Sequence, residues 1–413
     1  MRTAFRWSPL LLTLIGLTLL ASALSFVKSG HCRDNLWASP DVAIHACYSD
    51  IPALFTSRHL DEHQWSYMGG STSVEYPTLM GVVMWATAWL VPNGDNSPRT
   101  YFDINIFFIA LLLLASVLIV ARIRPEFAYL IPLSPALIAS LYINWDLWGI
   151  TTMLLAIHFF DRHKYSLSAV SLAVSIATKF FPVLLILPAL FILWRKNEIR
   201  DAVKYLGITV GIWLLINLPV VLTTPRGWWT FYQLNLSRDS EWGSIWYAFS
   251  LLGFNIKNLN YISILLLLAI FSAMAIYLFG LPNIPTLAQV SFILMASVLC
   301  VGKVYSPQYV LWLVPLAVIA MTDKRALPAF WIWQIGEMIY HLAIWQHLAS
   351  GSGGHHFGLP AGGYAIATLL RAGLCAYFIA VLVAHSLKKR SPQGRDGRRP
   401  LLDFLFGSSS SYP

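Results

Sequence analysis

A succession of thirteen apolar runs is the sequence feature that most restricts what this chain can fold into. They cover approximately residues 10–26, 77–92, 102–121, 128–143, 147–160, 165–178, 181–194, 205–222, 261–280, 287–302, 308–322, 327–347 and 364–386. Hydrophobic residues make up 57% of the chain and charged residues 11%, against about a quarter charged residues in soluble proteins. The sequence therefore predicts an all-α, polytopic transmembrane helix bundle with about 12 spans.

Several of these runs are too short for a simple crossing, which needs about 20 residues. Short helices interrupted by proline are typical of segments that end inside a cavity lined by protein. Two of them meet at Ala177-Thr178-Lys179-Phe180-Phe181-Pro182. Because both termini are predicted to be cytoplasmic, one run must fail to cross. The run 77–92, or one of the pair beside Lys179, is the candidate for a re-entrant segment.

The basic residues predict the orientation of the bundle, because short cytoplasmic loops are enriched in Lys and Arg. These basic connections are Arg195, Lys196, Arg200 and Lys204, then Lys324 and Arg325, and finally the tail from Lys388 to Arg399. They also explain the net charge of +9, so a nucleic-acid partner is not expected. Two long loops, residues 27–76 and 223–261, are thereby placed outside an inner (plasma) membrane. Residues 1–386 are predicted to form the transmembrane domain and residues 387–413 a disordered basic cytoplasmic tail.

The first extracytoplasmic loop, residues 27–76, is too long and too acidic for a simple connection. The first apolar run is either a cleaved signal peptide or a retained helix, and both place this loop outside. The mixed spacing of its apolar residues predicts short amphipathic helices along the membrane surface. Cys32 and Cys47 both lie in it, and the sequence leaves open whether they form a disulfide. Cys300 and Cys375 lie inside apolar runs and are predicted to be small buried side chains.

Asp50 lies near the middle of this loop, in the segment CYSDIPALF. A carboxylate held at the outer face beside a tyrosine and a proline is a candidate general base. The alternative is structural, because the Ser49-Asp50-Ile51-Pro52 segment also fits a helix start. Asn144 and Asp146 occupy a tight corner between two apolar runs on the same face. They either cap the next helix or orient a sugar hydroxyl.

Polar residues within or beside the apolar runs supply the remaining candidates. Lys179 stands where an unpaired ammonium is costly, so it either binds an anion such as phosphate or extends to the interface. The segment KVYSPQY, from Lys303 to Tyr309, presents a cation, two phenols and an amide on the outer side. Glu337 and His341 share one helix face and either line a cavity or form a structural pair. Their pattern is not that of a two-histidine zinc helix, and no metal site is predicted.

Six segments of the chain form a combination that is more specific than any of them alone. They are CYSDIPALF, VEYPTL, INWDL, ATKFFPVL, GWWTFYQLNLSRDSEWGSIWY and KVYSPQYVLWLVPL. Together they resemble the GT-C membrane glycosyltransferases of the actinobacterial type, in particular the family of polyprenyl-phosphate-mannose-dependent mannosyltransferases. The resemblance extends over the chain to about residue 386 and implies a bundle of the GT-C type.

The resemblance implies inverting transfer of one sugar, with mannose expected, from a polyprenyl phosphate to a glycolipid or glycan acceptor outside the membrane. It puts Asp50 in the position of the base that deprotonates the acceptor hydroxyl. Lys179, Lys303 and Arg238 would stabilise the departing lipid phosphate. The substrate-binding positions that it implies are Glu75, Tyr76, Asn144, Asp146, Tyr305, Gln308, Glu337 and His341. No cofactor is assigned, and the participation of a divalent cation is left open.

A transporter or flippase of a lipid-linked sugar is the alternative, because it too needs a cavity with cations for a phosphate. It would not need Asp50. The key charges of a transporter should lie near the middle of the membrane, whereas most of those here are predicted to lie on one face. A structural membrane protein without catalysis is the third reading. The sequence contains no nucleotide-binding fingerprint, so the energy for transfer would have to arrive in a lipid-linked substrate.

Overall fold

The computed structural model describes residues 9–281, 283–352 and 358–388, and within these ranges it contains helices and no β-strand. The prediction of an all-α protein is therefore confirmed. The α-helices are α1 (Pro9–Asp34), α2 (Asp41–Ile44), α3 (Asp50–Ser57), α4 (Thr78–Ala88), α5 (Ser97–Ile123), α6 (Leu130–Leu133), α7 (Pro135–Ser140), α8 (Asp146–Asp161), α9 (Tyr165–Thr178), α10 (Ile186–Arg195), α11 (Ile199–Thr223), α12 (Pro225–Ser237), α13 (Ile245–Leu251), α14 (Leu259–Gly280), α15 (Leu287–Val301), α16 (Val310–Ala320), α17 (Leu327–Gly351) and α18 (Ala361–Lys388).

Five of the described helices are long and apolar enough to cross a membrane, namely α1, α5, α11, α14 and α18. Shorter apolar helices fill the space between them, among them α4, α9 and α15. Two of the short segments begin with a turn of 3₁₀-helix, Phe181–Leu185 before α10 and Pro307–Tyr309 before α16. Proline near the start of each turn explains the break, because it lacks the N–H that a continuing helix needs. The interruption beside Lys179 matches the prediction.

Local sequence signals set many of the helix ends. Pro at the first or second position opens α5, α7, α12 and α17, where its missing N–H costs nothing. Thr286 and Gln289 form a capping box at the start of α15, each side chain bonding the other residue's backbone N–H. Ser49 and Ser244 cap α3 and α13 in the same way with one bond each.

The interior of the bundle is formed by the shorter helices rather than by the long ones. Every residue of α16 is buried, whereas α14 buries only Met274 and Leu278. The helices α8 and α9 pack along each other, as do α17 and α18. A helix that is apolar and buried all round fits the centre of a membrane protein, and one that is apolar but exposed fits its lipid surface. The turn that precedes α16 therefore lies at the centre of the molecule.

The first loop and the tail differ in part from their predicted bounds. Helix α1 continues to Asp34, so the loop predicted over 27–76 begins about two helical turns later. The loop predicted over 223–261 consists largely of α12 and α13. Short helices in the first loop are confirmed as α2 and α3. Helix α18 continues to Lys388, and residues 389–413 of the predicted tail lie outside the described residues.

The cysteines of the first loop form a disulfide, which answers the question that the sequence left open. Cys32, in the last turn of α1, is joined to Cys47, which precedes α3, and both are fully buried. Cys375 is buried as predicted, and Cys300 is half-buried. The disulfide ties the end of α1 to the chain three residues before Asp50. In the chain-entropy account, a closed loop of this size stabilises the fold by about 3 kcal/mol.

Candidate active site

A cavity of about 730 Å³, called the site cavity below, lies where the first loop meets the turns before α8, α10 and α16. Helix α12 closes one side of it. The predicted site residues that line the cavity are Asp50, Glu75, Tyr76, Asn144, Asp146, Lys179, Arg238 and Gln308. Residues separated by more than 250 positions in the chain therefore converge on one space. Its volume is within the range of small-molecule sites.

Asp50 is the first residue of α3, and the chain corner before α8 fixes its backbone. Its N–H donates to the carbonyl of Ile143 at 2.7 Å. The Ser49 hydroxyl donates to the carbonyl of Tyr142 at 2.8 Å and accepts the N–H of Ile51 at 3.2 Å. Ser49 is thus the cap of α3, and the carboxylate of Asp50 is not used for that structural purpose. It is held over the same corner that carries Asn144 and Asp146.

Two phenols contact the carboxylate of Asp50. The Tyr48 hydroxyl donates to Oδ1 at 2.8 Å, and the Tyr76 hydroxyl lies 3.5 Å from Oδ2. Burial raises the pKa of Asp50 above its ordinary value, and the hydrogen bond from Tyr48 and the charge of Lys179 only partly oppose that effect. A buried carboxylate with a raised pKa holds a proton more tightly than an exposed aspartate does. A raised pKa makes Asp50 a candidate for a general base.

Asp146 has a different environment, because Lys179 forms an ion pair with it. Lys179 Nζ lies 3.0 Å from Asp146 Oδ1, and both side chains are largely buried. The ammonium also lies 4.0 Å from the centre of the Tyr76 ring, a cation–π contact. The main chain of Asp146 is bonded by the side-chain oxygen of Asn144 at 3.0 Å. Lys179 is thus neither unpaired nor extended to the interface, and it stands between two carboxylates and the cavity.

Glycine on α8 allows the cation and the cavity wall to come this close. A Cβ added to Gly149 would lie 2.7 Å from the Trp312 ring and 3.2 Å from Lys179 Cβ. Trp312 is the third residue of α16, and its ring lines the cavity. The Ser175 hydroxyl of α9 bonds the Gly149 carbonyl at 2.7 Å, which holds the two helices together beside Lys179. The position of the ammonium is therefore set by buried helix packing.

The outer edge of the site cavity carries two further ion pairs. Arg58 binds Glu75 at 2.5 Å, and Arg238 binds Glu241 at 2.9 Å. In both pairs the side chains are a fifth or more exposed, so water screens them and each is worth little in stability. Arg238 keeps donors that can turn to an anion in the cavity. Oxygen ligands for a divalent cation are present at Asp50 and Asp146, although Lys179 already balances the charge of Asp146.

The opposite wall of the site cavity is apolar and comes mostly from α12. Trp229 and Leu236 of this helix line the cavity and are 47% and 71% exposed, and Phe180 faces them with 36% exposed. The helix can lie close to the first loop because Gly227 has no side chain. A Cβ there would lie 2.0 Å from the carbonyl oxygen of Tyr67. The cavity thus has a polar end at Asp50 and Lys179 and an open apolar side.

Four predicted site residues do not line this cavity, and their partners explain why. Lys303 Nζ donates to the Arg238 carbonyl at 2.5 Å and to Asn260 Oδ1 at 2.8 Å, so it fixes the chain after α12. Tyr305 and Glu337 are buried side by side, with the Tyr305 hydroxyl donating to Glu337 at 2.8 Å. His341 is buried between the Ser140 hydroxyl at 3.2 Å and the Trp345 N–H at 3.3 Å.

Arg371 is the partner of Glu337, in place of the His341 pairing that the shared helix face suggested. Its Nε lies 2.8 Å from Glu337 Oε2, and its guanidinium lies 3.3 Å from the centre of the Tyr305 ring. The guanidinium also donates to the Tyr305 carbonyl, which fixes the turn before α16. A buried, paired arginine of this kind supports the cavity from behind. Its signal in the sequence was a lone charge inside the last apolar run.

Three residues of the site were not among the individually predicted site residues. Tyr48 adjoins Asp50 in the chain, and only its hydrogen bond distinguishes it from an interfacial tyrosine. Tyr309 and Trp312 line the cavity because the 3₁₀ turn before α16 aims them there. Their spacing of three on a helical segment was a signal that they share one side. Whether that side faces the cavity depends on how the whole bundle packs.

Comparisons with known proteins found a likeness among solved structures. No protein-family model matches the chain, and no curated protein sequence matches it. Among solved structures, the chain is similar to ArnT from Cupriavidus metallidurans bound to undecaprenyl phosphate, with 14% identity over 94% of this chain and 84% of that one. The TM-score of this match is 0.44. A likeness of this size carries no conclusion about activity.

Proposed function

We propose that this chain is an integral membrane glycosyltransferase of the GT-C type that transfers a sugar from a polyprenyl phosphate to a glycolipid or glycan acceptor. The observation that supports this most directly is the composition of the site cavity. One end holds the half-buried carboxylate of Asp50, which has no ion pair among the described residues and lies near the ammonium of Lys179. The other side is an exposed apolar wall. This combination suits a substrate with a phosphate, a sugar and a lipid chain.

In the proposed reaction Asp50 acts as the general base. The acceptor hydroxyl attacks the anomeric carbon of the donor sugar, and Asp50 takes the hydroxyl proton. The bond between that carbon and the phosphate oxygen breaks, and the polyprenyl phosphate leaves with the electron pair. Attack from the side opposite the phosphate inverts the anomeric centre. Asp146 is the weaker candidate for the base, because it is already engaged in an ion pair with Lys179.

The leaving phosphate gains negative charge as the bond breaks, and Lys179 and Arg238 are the cations that line the cavity. Fixed charges at this position stabilise the transition state more than the ground state. Glu75, Tyr76, Asn144 and Gln308 are proposed to bind the donor and the acceptor sugar from the polar end. Lys303 was expected to bind the phosphate directly. It is proposed instead to position Arg238, because its ammonium donates to the backbone carbonyl of Arg238.

The finer assignment follows the sequence resemblance. Mannose is proposed as the sugar, and the polyprenyl-phosphate-mannose-dependent mannosyltransferases as the family. The membrane is proposed to be the inner (plasma) membrane with the cavity on its extracytoplasmic face, where a lipid-linked donor supplies the energy. Such a transferase would serve cell-envelope synthesis. Sugar transfer to the acceptor, rather than movement of an intact lipid, distinguishes this proposal from a flippase.

The test is sugar transfer in nanodiscs, with polyprenyl-phosphate-mannose as donor and a membrane lipid extract as acceptor. Asp50→Asn keeps the size of the side chain and removes the base, so we expect the transfer rate to fall by about 10²- to 10⁴-fold. Glu62→Gln is the matched control. It is an acidic residue of the same loop whose side chain is 70% exposed and lies away from the cavity, and it should transfer at the wild-type rate.

Two results would contradict the proposal. Normal transfer by Asp50→Asn would place the base elsewhere, with Asp146 next in line. Movement of the intact lipid across the bilayer by the wild type, with no transfer to any acceptor, would make the protein a transporter. Binding of the donor by Asp50→Asn, measured separately, keeps loss of the base distinct from loss of the fold.

A further inference from the structure

The end of α1 and the helix α2 bring together three potential metal ligands outside the site cavity. They are His31 in the last turn of α1, Asp41 at the first residue of α2 and His45 directly after α2. One ligand atom from each lies within 4.8 Å of the others. His31 Nε2 is 3.0 Å from Asp41 Oδ2, and the two imidazole rings lie with their centres 3.8 Å apart.

The local fold explains why these side chains converge. Asp41 and His45 are four residues apart across one helical turn, closed by the bond from the His45 N–H to the Asp41 carbonyl at 2.9 Å. Residues at this spacing share a face. The disulfide between Cys32 and Cys47 brings the end of α1 beside that face, with the two Cα atoms 5.9 Å apart. The helical turn therefore brings Asp41 and His45 together, and the disulfide places His31 beside them.

We propose that His31, Asp41 and His45 form a binding site for one divalent transition-metal ion of the zinc class. Two imidazole nitrogens and one carboxylate oxygen are the ligands that zinc takes in proteins, whereas calcium and magnesium prefer oxygen ligands alone. In a tetrahedral zinc site the ligand atoms lie about 3.3 Å apart. The distances in this cluster require only small rotations of exposed side chains to reach that value. The fourth position is left for water.

Asn35 supports this assignment as a neighbour of the ligands. Its Nδ2 donates to Asp41 Oδ2 at 2.7 Å and lies 3.5 Å from His31 Nε2. Groups that hydrogen-bond to a ligating carboxylate orient it and strengthen the metal site. The Asn35 Oδ1 atom is buried and has no hydrogen-bond partner among the described residues.

The position of the site gives it a structural effect on the first loop. His31 and His45 are exposed, so an ion can reach them from the solution. Gln346 of α17 bonds the carbonyl of Ile44 at 3.1 Å, which ties α2 to the bundle. An ion bound between α1 and α2 adds a second link across the segment that ends at Asp50. The site is more than a stabilised turn, because it joins two separate helices.

Zinc binding to the full-length protein in detergent, without a polyhistidine tag, tests this proposal. Titration with ZnCl₂ followed by calorimetry should give one saturable site that Mg²⁺ at a hundredfold excess does not displace. The unfolding temperature should rise with the zinc concentration, because an ion that binds only the folded state stabilises it. His45→Gln and Asp41→Asn should each weaken the affinity at least about tenfold, since loss of a supporting group alone costs that much.

The matched control is His59→Gln. His59 lies in the same loop at 3.4 Å from a carboxylate of Glu62, but without a third ligand, so its replacement should leave zinc binding unchanged. The proposal is overturned if the wild type shows no saturable zinc site, or if His45→Gln and Asp41→Asn bind as the wild type does. It is also overturned if Mg²⁺ displaces the ion. Asp41→Asn keeps the side-chain shape, so the result stands even where a histidine variant fails to fold. Sugar transfer is not the readout, so the outcome is independent of the function proposed above.

Discussion

The candidate site holds two aspartates whose surroundings give them different chemical properties. Asp50 is half-buried and bonded by phenols, whereas Asp146 is paired with the ammonium of Lys179. Burial without a paired cation favours the neutral carboxyl, and a cation in contact favours the carboxylate. At a site where two carboxylates have unlike environments, the one with the raised pKa is suited to accept a proton. This contrast supports the proposal that Asp50 is the base, whereas Asp146 pairs with Lys179.

The hydrogen bond from Tyr48 predicts a pH effect. It stabilises the ionised form of Asp50 and so opposes the rise of the pKa that burial causes. Tyr48→Phe removes the donor, and the pKa of Asp50 rises further. Because only the ionised carboxylate can take the proton, activity is lost as the pH falls through this pKa. We therefore expect the acid side of the profile of kcat/KM against pH to move to higher pH, with the rate at high pH close to that of the wild type.

Tyr101→Phe is the control for this experiment. It also removes a buried phenol hydroxyl, one that bonds the Met84 carbonyl at 2.9 Å and has no contact with Asp50. Its pH profile should coincide with that of the wild type. A profile that stays in place in Tyr48→Phe would show that the group that titrates is not Asp50.

The individual site residues were only partly predictable from the sequence. Lys179 and Lys303 both follow the end of an apolar run, and nothing in the sequence distinguishes their roles. The structure does, because Asp146 draws one ammonium to the cavity and Asn260 holds the other away from it. Glu337 shows the same limit, since its partner Arg371 lies on the next helix. Residue type and local spacing indicate that a charge needs a partner, and the tertiary fold decides which one it finds.

At the scale of elements, the apolar runs predicted where most helices lie, but they predicted the helix boundaries less accurately. Helix α1 continues beyond the apolar run to Asp34, because its last turn is bonded by the first loop rather than exposed to lipid. The run 128–143 was predicted as one segment, but Pro135 divides it into α6 and α7. Helix α12 was predicted only as a polar loop with aromatic residues. Because α12 lies at the surface, its sequence contains no apolar run from which a helix could be predicted.

Helix α12 supplies a prediction about packing. Gly227 lies against the backbone of Tyr67, which cannot yield as a flexible side chain would. Gly227→Ala should push α12 away from the first loop and lower the free energy of unfolding by about 1–3 kcal/mol, the usual cost of overpacking. The apolar wall formed by Trp229 and Leu236 moves with the helix, so the KM for the lipid donor should rise. Unfolding in detergent and initial rates against donor concentration measure the two effects.

Gly211→Ala separates this effect from a general response to replacing glycine in a helix. Gly211 lies in α11, and no atom outside its own helix lies within 4 Å of the Cβ that alanine would add. Its stability should stay the same or rise slightly, because alanine is the better helix former. If both variants had the same free energy of unfolding and the same KM for the donor, the close approach of α12 to the first loop would not be required for stability or donor binding.

For the whole molecule, the proposed reaction depends on which side of the membrane the site cavity faces. The same end of the bundle carries the disulfide, the site cavity and the exposed wall of α12. The connections rich in Lys and Arg are expected on the cytoplasmic side. Disulfides persist in oxidising compartments, which is consistent with an extracytoplasmic first loop. The distribution of Lys and Arg and the disulfide therefore indicate the same orientation, although they rest on different residues.

Single cysteines on the two faces test this orientation. Glu62→Cys lies in the first loop and Arg325→Cys in a basic connection, and the native side chains are 70% and 78% exposed. A membrane-impermeant maleimide should label Glu62→Cys in intact cells and Arg325→Cys only after permeabilisation. The wild type sets the background, which comes from the half-buried free Cys300, since Cys32 and Cys47 are joined and Cys375 is buried. The reverse pattern would place Asp50 in the cytoplasm, where a donor presented on the outer leaflet could not reach it.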